Sequence, residues 1–115
     1  MSLRIWRCGG DIEAVPCSRI GHMFRRARPY TFHGEVYRRN ELRLASVWLP
    51  EYLPVVYKVQ PDLPKFMHTV GDVSSRRALQ DRLQCKSMDW YIDSVYPELR
   101  GEIDRVLRSQ GTPRP

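Results

Sequence analysis

The hydrophobic pattern changes period several times along the chain, and each change marks an element. Ser2 to Cys8 fits the end of a helix, and Gly9-Gly10 supplies its C-cap, because glycine takes positive φ without a Cβ penalty. Asp11 to Val15 alternates loosely, with Ile12 and Ala14 on one face, and predicts a short strand. Pro16 ends that pairing or places it on a sheet edge, since proline donates nothing to a ladder. Ser18 to Phe24 is a second short extended segment. From Phe24 to Asn40 neither period holds, and a content of Arg, Pro, Tyr and Gly predicts a loop.

Beyond Asn40 the period becomes helical. Asn40 can cap a helix whose stripe runs through Glu41, Leu42, Leu44, Val47 and Trp48. An interior proline costs about 3 kcal/mol or more, so Pro50 and Pro54 predict a stop near Trp48, with Pro50 in the first turn of any restart. Val55 to Val59 is a short β-branched and aromatic run, and Gln60 to Pro64 reads as a turn. Gly71-Asp72 precedes a helix capped by Asp72 or Ser74, with Ala78, Leu79 and Leu83 inward. Ser87 caps another, burying Trp90, Tyr91 or Ile92, and Val95, and Pro97 stops it. Glu102 to Leu107 extends as a short helix before a polar, proline-containing tail at 109–115. Trp6 and Trp90 are expected to be core anchors. The fold class expected from this order is an α+β fragment, short strands followed by several helices.

Composition narrows the picture. The chain has 115 residues, enough for one small domain or part of one, and 42% hydrophobic residues, as in a globular protein. A net charge of +6 permits contact with phosphates, nucleic acid or anionic membrane. The arginines are scattered, and the cluster Arg25, Arg26 and Arg28 comes with no nucleic-acid motif. No apolar run is long enough to span a bilayer, and no signal peptide opens the chain. Three cysteines, Cys8, Cys17 and Cys85, read either as reduced buried thiols or as an incomplete disulfide set. His22 by spacing alone reads as a packed or surface residue. His33 and His68 have no motif support. Neither a phosphate-cradling glycine loop nor a Ser/His/Asp arrangement is present.

One stretch carries a more specific signal. WRCGGDIEAVPCSRIGHMFRRARPY, from Trp6 to Tyr30, follows Ser2 and Arg4 at fixed spacing. It closely resembles the polypeptide N-acetylgalactosaminyltransferases, whose pattern is S-x-R-x-W-x-C-G-G, an acidic-apolar strand, P-C-S-x-V-G-H-x-F-R, then P-Y. Matching positions are Ser2, Arg4, Trp6, Cys8, Gly9, Gly10, Glu13, Pro16, Cys17, Ser18, Gly21, His22, Phe24, Arg25, Pro29 and Tyr30. Departures from the family include Arg28, where histidine is common, His33-Gly34-Glu35 in place of Pro-Gly-Gly, and the two prolines at 50 and 54.

The resemblance implies that residues 1–108 are the C-terminal part of a GT-A (α/β) catalytic domain and that 109–115 begins a linker. It implies a retaining enzyme that moves GalNAc from UDP-GalNAc to Ser or Thr of a polypeptide, assisted by Mn²⁺, in the Golgi. His22 would supply one metal ligand, completed by an Asp-x-His motif upstream of Met1. Arg25 and Tyr30 would hold the UDP diphosphate under a mobile loop, where a guanidinium can fork onto phosphate oxygens. No residue of the chain is expected to be the catalytic group itself. Cys8 would pair with Cys85, and Cys17 with a cysteine upstream. The expected partners are UDP-GalNAc and an acceptor polypeptide, with no nucleic acid, and with membrane only through an anchor outside this chain. Lacking the sugar-nucleotide half, the isolated chain is expected to be inactive. Two alternatives stand beside this: a truncated, non-catalytic interaction protein, and a small basic nucleic-acid-binding module.

Overall fold

A computed structural model describes residues 2–24, 31 and 34–109, and what it describes is helical. The elements are α1 (Ser2–Arg7), α2 (Gly34–Trp48), a 3-10 turn at Pro50–Tyr52, α3 (Leu53–Val59), a 3-10 segment at Leu63–Thr69, α4 (Ser74–Arg82), α5 (Met88–Ser94) and α6 (Glu98–Arg108). Among the described residues there is no strand, so the short strands expected at 11–15 and 18–24 are not formed. Both stretches are extended and exposed, joined by a turn in which the Ser18 amide donates to the Val15 carbonyl at 3.0 Å. Pro16 takes the second position of that turn, where its fixed φ is an advantage. Alternating side chains favour a strand only when a neighbouring strand accepts the backbone bonds, and none is supplied here.

The helices start and stop for local reasons. α1 ends in a Schellman arrangement: the Gly10 amide donates to the Ile5 carbonyl (2.9 Å) and the Gly9 amide to the Trp6 carbonyl (3.4 Å). Gly9 has φ +84, and a Cβ on Gly10 would lie 2.9 Å from Ile5 Cγ2, so both glycines are required, for different reasons. α2 starts at Gly34, six residues before the expected cap at Asn40. Its first two turns carry no apolar stripe and are held by polar pairs instead. Arg38 bonds Glu41 at 3.3 Å, one turn on, and Asp62 at 2.9 Å, and also donates to Gln60.

Pro50 and Pro54 do not break a helix. Each lies in the first turn of a new segment, where the missing N–H would have had no partner. The Val55–Val59 run is part of α3, and most of the expected turn at 60–64 leads into a 3-10 segment. Asp72 Oδ1 accepts from the Ser74 amide at 2.8 Å just ahead of α4, and Ser87 Oγ caps α5 by accepting from the Trp90 amide at 3.1 Å. α6 begins at Glu98, four residues earlier than its expected extent.

The main cluster sits between α2 and the 63–69 segment. Leu42, Leu63 and Val70 are buried, with Val56, Tyr57, Phe66 and Val73 packed around them. Ala45, Val47, Met88 and Ile92 are buried as well. α1 packs on α5, and α3 on α6. The inward set differs from expectation in places. Leu44 and Leu83 are exposed, Ala78 is on the surface, and Ala45 and Ser46 take the buried side of α2. Trp6 and Trp90 are half-buried rather than enclosed.

Candidate functional site

The stretch that carries the sequence signal is anchored at its root, and its described part beyond Gly10, to Phe24, is exposed. Cys8, at the end of α1, is bonded to Cys85, with Cα atoms 4.1 Å apart. Closing a loop of that length contributes about 4 kcal/mol in the chain-entropy account. Arg7, one residue earlier, reinforces the junction. Its Nε donates to the Lys86 carbonyl at 2.6 Å, and its own carbonyl accepts from the Lys86 amide at 2.6 Å. Arg7 Nη1 donates to the Trp48 carbonyl, and the guanidinium lies 5.4 Å from the centre of the Trp48 ring. Only 6% of Arg7 is exposed. Burial depresses its pKa, and the charge of Glu51 opposes that. One buried cation thus ties together the end of α1, the end of α2 and the approach to α5.

From Gly10 the chain runs outward. Ile20, Met23 and Phe24 are each about nine-tenths exposed. His22 lies in this extended arm, exposed, its ring set edge-on against Phe24 at 4.4 Å between centroids. A first-row divalent ion needs several converging donors. Among the described residues no three His, Cys, Asp or Glu side chains converge on one point. The described residues therefore do not by themselves fit a manganese ion, and His22 offers a single imidazole to solvent. Cys17, in the turn between the two extended arms, is a free, exposed thiol. Arg25 and Tyr30 lie outside the described residues, as does His33.

A second polar centre, not anticipated from the sequence, fixes the other end of the fold. The Tyr52 hydroxyl donates to Asp89 Oδ1 at 2.6 Å, and Arg100 reaches both Asp93 (2.6 Å) and Asp89 (3.4 Å). The Tyr52 hydrogen bond, then Arg100, hold the Asp89 carboxyl below its ordinary range. Lys58 Nζ donates to the Leu107 carbonyl and closes α3 onto the end of α6. These are positioning contacts on the surface. Nothing in the sequence marks them, because the partners lie on different helices, 7 to 49 positions apart, and each residue type is common on helix surfaces.

The chain's likeness to known proteins bears directly on the extended arm. Over 108 residues it is 48% identical to polypeptide N-acetylgalactosaminyltransferase 4 of Caenorhabditis elegans, an alignment covering 91% of this chain and 18% of that protein. By sequence the chain is related to the polypeptide N-acetylgalactosaminyltransferases, matching their C-terminal portion. It is 46% identical over 114 residues to polypeptide N-acetylgalactosaminyltransferase 13 of Homo sapiens, covering 96% of this chain and 20% of that protein. It is 41% identical over 122 residues to polypeptide N-acetylgalactosaminyltransferase 3 of Mus musculus, covering 98% and 19%. The chain spans about a fifth of the length of these curated relatives. No family model matches it. No helix among the described residues is long and apolar enough to cross a membrane.

Proposed function

We propose that the chain is the C-terminal part of a GT-A catalytic domain, residues 1–108 with a linker at 109–115, in a retaining enzyme of the Golgi that transfers GalNAc from UDP-GalNAc to Ser or Thr of polypeptides. The observation that carries this reading is the 48% identity to a named transferase across nearly the whole chain. The exposed arm supports it. Residues 11–24 present unpaired backbone and large apolar side chains to solvent, as a strand does when its sheet belongs to another segment. In this reading that sheet belongs to the remainder of the enzyme, and seating the arm there would carry His22 to further ligands. His22 would then supply one ligand to Mn²⁺, an ion whose chemistry when bound is to neutralise phosphate charge. Arg25 and Tyr30 bind the diphosphate oxygens, and Cys17 pairs with a cysteine outside this chain.

The test is transfer itself. Native protein is recovered with an antibody to the 109–115 tail and incubated with UDP-GalNAc, Mn²⁺ and a peptide rich in Ser and Thr. The peptide is expected to gain the mass of one N-acetylhexosamine, while the purified 115-residue chain leaves it unchanged. His22→Ala in the native product is expected to remove the gain. A native product that never modifies the peptide would sink the transferase reading. It would favour the second one, a non-catalytic interaction protein, for which the same exposed apolar arm is the supporting observation.

A further inference from the structure

Away from the arm, an elongated groove runs between α1, α2 and α4. It consists of two adjoining clefts of about 260 and about 470 Å³ that share Arg4, Leu44 and Trp48. Its apolar lining is Leu44, Val47, Trp48, Val73 and Leu79, mixed with polar surface. Three guanidinium groups border it, one from each helix: Arg4 from α1, Arg43 from α2 and Arg76 from α4. Among the described residues no carboxylate lines either cleft, although Asp72 lies near enough to Arg43 to feel its charge.

The arginines differ in what already holds them. Arg43 Nη1 donates to the Val70 carbonyl, which fixes its side chain along the wall. Arg4 and Arg76 are exposed, and among the described residues neither guanidinium has a hydrogen-bond or ion-pair partner. The carboxylates that do form ion pairs, Glu41, Asp62, Asp89, Asp93, Glu102 and Asp104, are committed to arginines outside the groove. Like charges converging on a partly apolar lining repel one another, and an anion placed between them relieves that repulsion. The apolar lining adds a second requirement, because a bare inorganic anion leaves Trp48 and Leu44 uncovered. Two clefts in line favour an extended ligand over a compact one.

We propose that this groove binds an acidic polypeptide segment, with an apolar or aromatic side chain over Trp48 and Leu44 and carboxylates on Arg4 and Arg76. Arginine suits the task, since its planar fork takes a carboxylate in two hydrogen bonds while its stem packs on an aromatic face. The assignment rests on charge complementarity and shape at the groove. It is independent of the transferase reading and survives if that reading fails.

The experiment uses the whole 115-residue chain and a fluorescein-labelled dodecapeptide of alternating Glu and Leu, followed by polarisation. Saturable binding is expected, weakening as salt rises. Arg4→Ala and Arg76→Ala are each expected to weaken it about tenfold, and the double variant more than either. Arg105→Ala, on exposed α6, is expected to leave it unchanged. Far-ultraviolet circular dichroism of each variant guards against unfolding, and Arg76→Lys is expected to recover only part of the affinity. Equal binding of a Lys/Leu dodecapeptide would overturn the proposal, as would affinities indifferent to Arg4 and Arg76. Tighter binding of a thymidylate dodecamer, with the same loss in both variants, would also overturn it and assign the groove to nucleic acid.

Discussion

Arg7 makes contacts that few other residues of the chain could replace. Removing its side chain leaves the carbonyls of Trp48 and Lys86 without their donor, at about 1–3 kcal/mol for each buried acceptor. Arg7→Ala is therefore expected to destabilise the chain by about 2–4 kcal/mol in urea melts. Arg7→Lys is expected to recover little, since an ammonium group cannot fork between two carbonyls on different segments. A variant melting with the unsubstituted chain would remove Arg7 from its place at the junction. The comparison with Gly9 shows what a sequence can disclose. The Gly9-Gly10 cap is readable because everything it depends on lies between Ile5 and Gly10. Arg7 is not, because its partners lie 41 and 79 positions away. His22 occupies a middle position. Its motif is legible from Pro16 to Phe24, but in this structure it is exposed against Phe24, and among the described residues no second ligand joins it.

At the scale of elements, N-capping was legible only at α5: Asn40 lies inside α2, and the cap position of α4 is Val73, without a side-chain cap bond, rather than Asp72 or Ser74. Ser87 caps α5, and Asp72 braces the start of α4, through side-chain bonds spanning two or three residues. The early turns of α2 escaped notice because Val36 and Tyr37 point to solvent and charged pairs hold the helix together. α4 misled in the opposite sense, since Leu79 and Leu83 have helical spacing but Leu83, like Ala78, is left exposed. The docking of α6 joins a half-buried apolar face, Leu99, Ile103 and Val106, to the ion pairs of Arg100, and the charged part answers to pH. Asp89 has its carboxyl pKa depressed by Tyr52 and Arg100. A depressed acid stabilises the fold above its unfolded pKa and loses that contribution as the pH falls through the lower native value. Loosening of α6 is thus expected to begin below about pH 4, the ordinary aspartate range. Asp89→Asn is expected to flatten the dependence of melting temperature on pH in that acid window. A variant as acid-sensitive as the parent would show that other carboxylates set the window.

Over the whole molecule, the six helices were partly legible and the missing strands were not, and the reason is physical. A strand is a shared structure, and residues 11–24 have the side chains for one without a second strand to complete it. The exposed surface tells the same story. At 9528 Å² it is well above the roughly 6,600 Å² that a closed monomer of this mass presents. A chain with that much open surface keeps much of its apolar material, Ile20, Met23 and Phe24 above all, available to a neighbour.

The bond between Cys8 and Cys85 gives the polypeptide the topology of a ring with a short N-terminal tail and a longer C-terminal one. A ring survives one cut. If trypsin opens the exposed arm after Arg19, both halves remain covalently joined, and the product should run as a single species until a reductant is added. Release of the halves without reductant would show that the ring is not closed. The exposed arm is thus, among the described residues, one where a break does not divide the molecule, so damage there would go unnoticed until the surroundings turned reducing.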